Sequence, residues 1–237
     1  MSKFWIVLFA TMFGLIAASG RSEPKGSAEF LARVDHLVYA TPHLDLGIEK
    51  LETLLGVRAT PGGQHPGRGT RNALIALGPT SYIEIIGPDP EQPRPETPRN
   101  FGIDGLGAPK LATWAANAKD LEQLASEAER QGVMLGQVRS GSRRRPDGVV
   151  LSWRLTDPRT VVADGIVPFF IDWGNTPHPA RTAAQGLSLV DLRAEHPDAE
   201  RVQKMLGQLG LHLPVQWGPK AVLIATITGP RGRVELR

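Results

Sequence analysis

The feature that most limits what this chain can fold into is a pattern written three times. Apolar stripes at helical spacing each close on a glycine, and Gly56, Gly132 and Gly210 fall at near-equal intervals. The first stripe is Leu44, Ile48, Leu51 and Leu55. The second is Leu121, Leu124, Ala125 and Ala128 behind Asp120 as N-cap, and the third is Val202, Met205, Leu206 and Leu209 behind Pro197 at the first helical position. Glycine just past a helix takes the left-handed conformation that side chains resist. A β-rich apolar run precedes each stripe: Val34-Asp35-His36-Leu37-Val38-Tyr39-Ala40, then residues 111–118, then 187–192.

The segments after the helices repeat as well. Residues 73–77, Gly78-Pro79 and Ser81-Tyr82-Ile83-Glu84-Ile85-Ile86 read as a hairpin. Residues 78–85 fall on residues 229–236 without a gap, so Glu84 matches Glu235. The middle copy is looser, with strands at 149–155 and 166–173 joined by a longer loop. Each unit reads as strand, helix and further strands, which predicts an α+β fold. The boundaries are module 1 at 32–88, a proline-rich connector at 89–109, module 2 at 110–174, a connector at 175–185 and module 3 at 186–237. A unit this small cannot cover both faces of its own sheet, so the units must pack on one another.

Composition narrows the function classes. Hydrophobic residues at 41% and charged residues at 22% lie in the globular range, and a net charge of +3 is too small to imply nucleic acid. With no cysteine, the chain has no disulfide, thiolate metal site or cysteine nucleophile. Lys3, the apolar run 4–18 and the small residues Ala17, Ala18, Ser19 and Gly20 read as a signal peptide over 1–20, or else as an uncleaved membrane anchor. Residues 21–31 are polar and read as a tether. Either reading predicts a protein exported to the periplasm or beyond, with membrane association only through this segment.

The repeated βαβββ grammar resembles the vicinal-oxygen-chelate superfamily of glyoxalase I, extradiol dioxygenases and bleomycin-resistance proteins. More narrowly, Asp35-His36-Leu37-Val38-Tyr39-Ala40, the loop Pro61 to Thr70, Tyr82-Ile83-Glu84-Ile85-Ile86-Gly87-Pro88-Asp89-Pro90 and Pro168 to Gly174 with His178-Pro179 resemble the glyoxalase-like domain family. The resemblance implies two full modules forming a cupped sheet around a site, with a third module at the C-terminus. It also implies one divalent metal (Zn, Fe, Mn or Ni) held by residues of the first and last strands.

In module 1 those places hold His36 and Glu84. The residues themselves agree, because a carboxylate inside an apolar strand needs a cation or good donors, and imidazole with carboxylate suits such ions. The plainer alternative is a core histidine and a carboxylate paired with arginine. Asp172 is the third metal ligand in one of two strand registers. His65 and His178 join Glu84 as proton-transfer residues. The glycine-rich loop 62–69 brings Arg68 to an anionic ligand, and Trp153 and Trp173 form pocket wall. Arg71 stands where the family has histidine; with the hairpin centred on Pro79-Thr80 it shares a face with Glu84, as ion-pair partner or as clamp for a substrate carboxylate. Arg139, Arg143, Arg144 and Arg145 read as a solvated charge run, or as contacts for anionic lipid. Two functions are open. One is a metal-dependent lyase, isomerase or dioxygenase acting on a small oxygenated molecule. The other is a metal-free module that binds or sequesters such a molecule. Either could work as a homodimer.

Overall fold

The computed structural model describes residues 25–237. The signal-peptide segment and the start of the tether lie outside these residues. Within them no helix is long and apolar enough to cross a membrane. The rest of the tether is not extended: residues 25–31 form a short helix, α1 (Lys25–Leu31), because Phe30 buries itself edge-on against Trp114, with ring centroids 5.7 Å apart.

Three runs of strand, helix and three strands follow. The first is β1 (Val34–Ala40), α2 (Leu44–Leu55), β2 (Thr60–His65), β3 (Thr70–Gly78) and β4 (Ser81–Pro88). The second is β5 (Lys110–Asn117), α3 (Leu121–Arg130), β6 (Val138–Arg144), β7 (Val150–Thr156) and β8 (Phe169–Asp172). The third is β9 (Ser188–His196), α4 (Ala199–Gln208), β10 (Val215–Trp217), β11 (Val222–Gly229) and β12 (Gly232–Leu236). Gly56, Gly132 and Gly210 each take a positive φ, between 66° and 82°, as helix-closing residues must. Two helix starts differ from expectation. Asp120 occupies the N-cap of α3 without a side-chain bond. The cap of α4 is Asp198, which accepts from Arg201 N, so Pro197 precedes the helix.

The first two runs share one eight-stranded sheet in the order β2-β3-β4-β1-β5-β8-β7-β6. In both, the first strand pairs in parallel with the last, β1 with β4 and β5 with β8, and β1 joins β5 antiparallel at the centre. This is the vicinal-oxygen-chelate fold. The sheet curls until its outer strands meet. A Cβ on Gly63 of β2 would come within 2.4 Å of the Arg144 carbonyl on β6, and the Arg143 guanidinium donates to the Gly62 carbonyl.

The third run keeps the order of elements but not their pairing. Its sheet is β10-β9-β11-β12, with β9 parallel to the short β10 and antiparallel to β11. The β11–β12 hairpin that the sequence repeats is there, yet it meets the first strand of its unit from the other side. Glu235 therefore lies exposed, paired with Arg193, far from the role of Glu84.

Strand alternation divides the large sheet into two faces. Leu37, Tyr39, Ile75, Ile83 and Ile85 point outward onto α2, α3 and the third unit, forming one core with Leu51, Leu55, Leu192, Leu206 and Leu223. Val38, Ala40, Ile86, Phe169 and Ile171 point into the cup, where the 89–109 connector covers them with Phe101, Ile103 and Leu106. The proline-rich segment thus forms part of the cavity wall.

Candidate active site

A cavity of about 420 Å³ opens inside the cup. Its floor is built on β1 and β4. Val38 pairs with Glu84 and His36 with Tyr82, so His36, Tyr82 and Glu84 share the concave face. β1 carries a bulge at Asp35: Val34 pairs with Ala116 and His36 with Ala115, leaving Asp35 extra. A bulge re-aims side chains, and here it turns neighbouring residues to the same side. Asp35 Oδ1 lies 2.7 Å from His36 Nδ1.

Asp35 is 1% exposed and is the hub of the floor. Besides His36 it accepts from Trp173 Nε1 at 3.0 Å and His178 Nε2 at 3.2 Å. Burial by itself would raise the Asp35 pKa. Hydrogen bonds from His178 and His36 outweigh it, holding the carboxyl below its ordinary range. An ionised Asp35 fixes both rings. His178 Nδ1 accepts from Ala180 N, so its proton sits on Nε2. His36 gives its Nδ1–H to Asp35, which turns Nε2 towards Glu84 Oε2, 3.9 Å away.

A second imidazole approaches from β2. His65 Nε2 lies 3.7 Å from Glu84 Oε1, and its Nδ1 meets Thr70 Oγ1 at 3.0 Å. The Asn72 amide nitrogen donates to Glu84 Oε1 at 2.6 Å and lies 3.3 Å from His65 Nε2. Burial pushes the His65 pKa down, against the opposing charge of Glu84, and the ring is neutral at physiological pH. Tyr82 stacks on His36 with centroids 4.7 Å apart. Burial and the charges of Asp35 and Glu84 raise its pKa well above the ordinary value, so the phenol keeps its proton.

With that geometry in view, comparison with known proteins decides the family. A model described as a glyoxalase-like domain matches residues 34–210, from the first residue of β1 to just past α4. The chain belongs to the glyoxalase-like domain family. No curated protein matches it. Among solved structures, a hypothetical protein from Staphylococcus aureus is 13% identical at a TM-score of 0.56, covering 85% of this chain and 83% of that one. A methylmalonyl-CoA epimerase from Mycobacterium tuberculosis is 20% identical at a TM-score of 0.39, covering 65% and 94%. One from Streptomyces coelicolor is 18% identical at 0.41, covering 62% and 98%.

Within this glyoxalase-like domain the side chains expected from the sequence sort into two groups. His36, His65 and Glu84 come together on the cavity floor, and Arg68, Trp153 and Trp173 line the same space. His178 lies behind the floor, touching it through Asp35 and Tyr82. Two residues do not join them. Asp172 turns to Lys119 Nζ at 2.5 Å and to Gly174 N at 2.9 Å, and only its neighbours Ile171 and Trp173 line the cavity. Arg71 faces α2 and bonds Asp45 at 3.4 Å. The hairpin is centred on Pro79-Thr80 as expected, with Gly78 opposite Ser81, but a bulge at Leu77 shifts every later pair by one. Leu74, not Ile75, lies opposite Glu84, so Asn72 shares its face and Arg71 is carried to the other.

Arg139 and Arg143 depart from expectation in the opposite direction. Both belong to β6 and line the cavity, Arg143 buried and Arg139 still exposed at its edge. Arg139, Gly141 and Arg143 alternate along one face, and Gly141 leaves room for the Trp153 indole, which a Cβ would meet at 2.6 Å.

A divalent ion fits this floor in donor chemistry but not in arrangement. Among the described residues no group of three or more His, Asp or Glu side chains is arranged to hold a metal ion. The Asn72 nitrogen, which cannot ligate, lies between His65 and Glu84 where a bridging ion would sit. What the floor offers as it stands is two imidazoles facing one carboxylate.

Proposed function

We propose that this chain is an enzyme of the isomerase or lyase kind, moving a proton on a carbon beside a carbonyl of a small oxygenated molecule. The convergence of His36, His65 and Glu84 on the floor of one cavity supports the reading. Three largely buried groups, His36 among them held by the buried Asp35 carboxylate, form a site for taking up a proton, and a cavity of about 420 Å³ suits a small molecule.

Roles follow from the bonding. Glu84 Oε1 is held by Asn72, which leaves Oε2, the oxygen facing His36, to accept the substrate proton. As the C–H bond breaks, its electron pair passes to the carbonyl oxygen, and the Tyr82 hydroxyl is the donor kept protonated to meet that oxyanion. Returning the proton to carbon gives an isomer. Losing a group from the neighbouring carbon gives an elimination. His65, neutral and hydrogen-bonded to Thr70, accepts from the Asn72 amide at Nε2 and so positions the side chain that holds Glu84. Export belongs to the same proposal and rests on Lys3 and the apolar run behind it.

The test is hydrogen–deuterium exchange at carbon. Carbon acids flanked by a carbonyl are incubated with tag-free protein in D₂O and followed by NMR, and zinc, iron, manganese and nickel contents are measured on the same sample. The account predicts exchange that Glu84→Gln abolishes. A ligand that quenches Trp153 and Trp173 fluorescence but exchanges no proton would show a binding module instead.

A further inference from the structure

We propose that Arg143 is the docking group for a carboxylate on the molecule that occupies this cavity. The proposal names the substrate class of the proton-transfer reading and rests on that reading only for what happens after docking.

Arg143 is 4% exposed, yet its sole hydrogen bond among the described residues runs from Nη1 to the Gly62 carbonyl. Of the other guanidiniums that line the cavity, Arg68 is exposed to solvent and the rest are compensated. Arg139 and Arg159 both pair with Asp157, at 2.7 and 3.0 Å, and Arg99 pairs with Asp104. Arg143 has no carboxylate within ion-pairing distance among the described residues. A guanidinium keeps its charge under all physiological conditions, and a buried charge without a partner is unfavourable until one arrives. Burial already lowers the Arg143 pKa, opposed by the fields of Tyr82 and Glu84.

The surroundings fix both position and ligand. Gly62 holds one arm of the fork at the seam where β2 meets β6, and a smaller cavity of about 220 Å³ also borders Arg143. The remaining N–H groups have no protein acceptor among the described residues, and Arg143 lines the 420 Å³ cavity that Glu84 also lines. A planar fork with free N–H groups matches the two oxygens of a carboxylate. Gly62, which holds Arg143, lies against Asn72, and Asn72 in turn bonds Glu84, so a carboxylate docked on Arg143 brings the carbons next to it towards the base. The ligand is therefore a small carboxylic acid whose reacting carbon lies close to its carboxylate.

Binding to tag-free protein is measured by calorimetry and tryptophan fluorescence, with glycolate and oxalate as probes against glycolamide, inorganic phosphate and sulfate. Wild type should bind the carboxylates and bind the uncharged amide roughly ten- to a hundredfold more weakly. Arg143→Met should lose affinity by a similar factor, and Arg143→Lys, a point charge without the fork, should fall between. Melting curves check that the seam survives; should Arg143→Met unfold, the wild-type contrast and Arg143→Lys still decide. Equal binding of acid and amide, preference for phosphate or sulfate, no carboxylate binding, or undiminished binding by a folded Arg143→Met each overturns the proposal. Arg143-dependent carboxylate binding without proton exchange at carbon would keep the anchor and remove the enzymatic reading. Exchange untouched by Arg143→Met would do the reverse.

Discussion

Replacing Asp35 with asparagine should destabilise the fold and reverse the proton position on His36, and the size of both effects follows from the bonds around it. The carboxylate accepts from His36 Nδ1, Trp173 Nε1 and His178 Nε2 in a nearly solvent-free site. Asparagine has the same shape but one acceptor oxygen. Placed so that this oxygen keeps Trp173 and His178, its amide nitrogen faces His36 Nδ1, which must then become an acceptor and pass its proton to Nε2. All three contacts survive, but each loses its charge. Hydrogen bonds to charged groups exceed neutral ones by about 1 kcal/mol, so the variant should lose about 3 kcal/mol. For a chain of this length that is roughly 6–12 °C in Tm. The pH dependence follows from the lowered Asp35 pKa. A carboxylate whose folded pKa lies below its unfolded value of about 3.9 contributes fully above that value and loses its contribution as pH falls through the folded one. Urea titrations of both proteins from pH 7 downward should show a gap that is constant near neutrality and closes below about pH 4. A variant as stable as wild type, or a gap as large in acid as at pH 7, would refute the reasoning.

Three shorter predictions accompany it. Arg71→Met should change stability by less than about 1 kcal/mol, since its partner Asp45 is exposed, and should leave ligand binding untouched in the same titration. Gly141→Ala should push the Trp153 indole off its seat, costing about 1–3 kcal/mol and shifting tryptophan emission, because the added carbon falls 2.6 Å from the ring. Expressed with its own N-terminus, the chain should appear outside the cytoplasm shortened by about 20 residues, as mass spectrometry of cell fractions will show.

The fold was legible because its signals are local. Glycines that close helices, alternating strands and a two-residue hairpin turn each act within a few residues, and His36 and Glu84 stood out as polar groups in apolar strands. Bulges hide from such reading. One at Leu77 exchanged the faces of Arg71 and Asn72, and one at Asp35 brought that side chain beside His36. Asp35 was nonetheless open to the argument applied to Glu84, an acid inside an apolar run. Arg143 was not, because neighbouring arginines look like a solvated stretch until the sheet closes on itself and buries this one among them. Sheet order in the third unit was hidden for a similar reason: a repeated hairpin does not say which strand it will pair with.

Histidine ¹⁵N NMR on wild type and Glu84→Gln addresses the shared floor most directly, with His43, His196 and His212 as internal controls. Removing the Glu84 charge should shift the Nε2 signals of both His36 and His65 and leave the three controls in place. If neither His36 nor His65 moves in a folded variant, the three groups do not face one another, and no proton-transfer chemistry can be built on them.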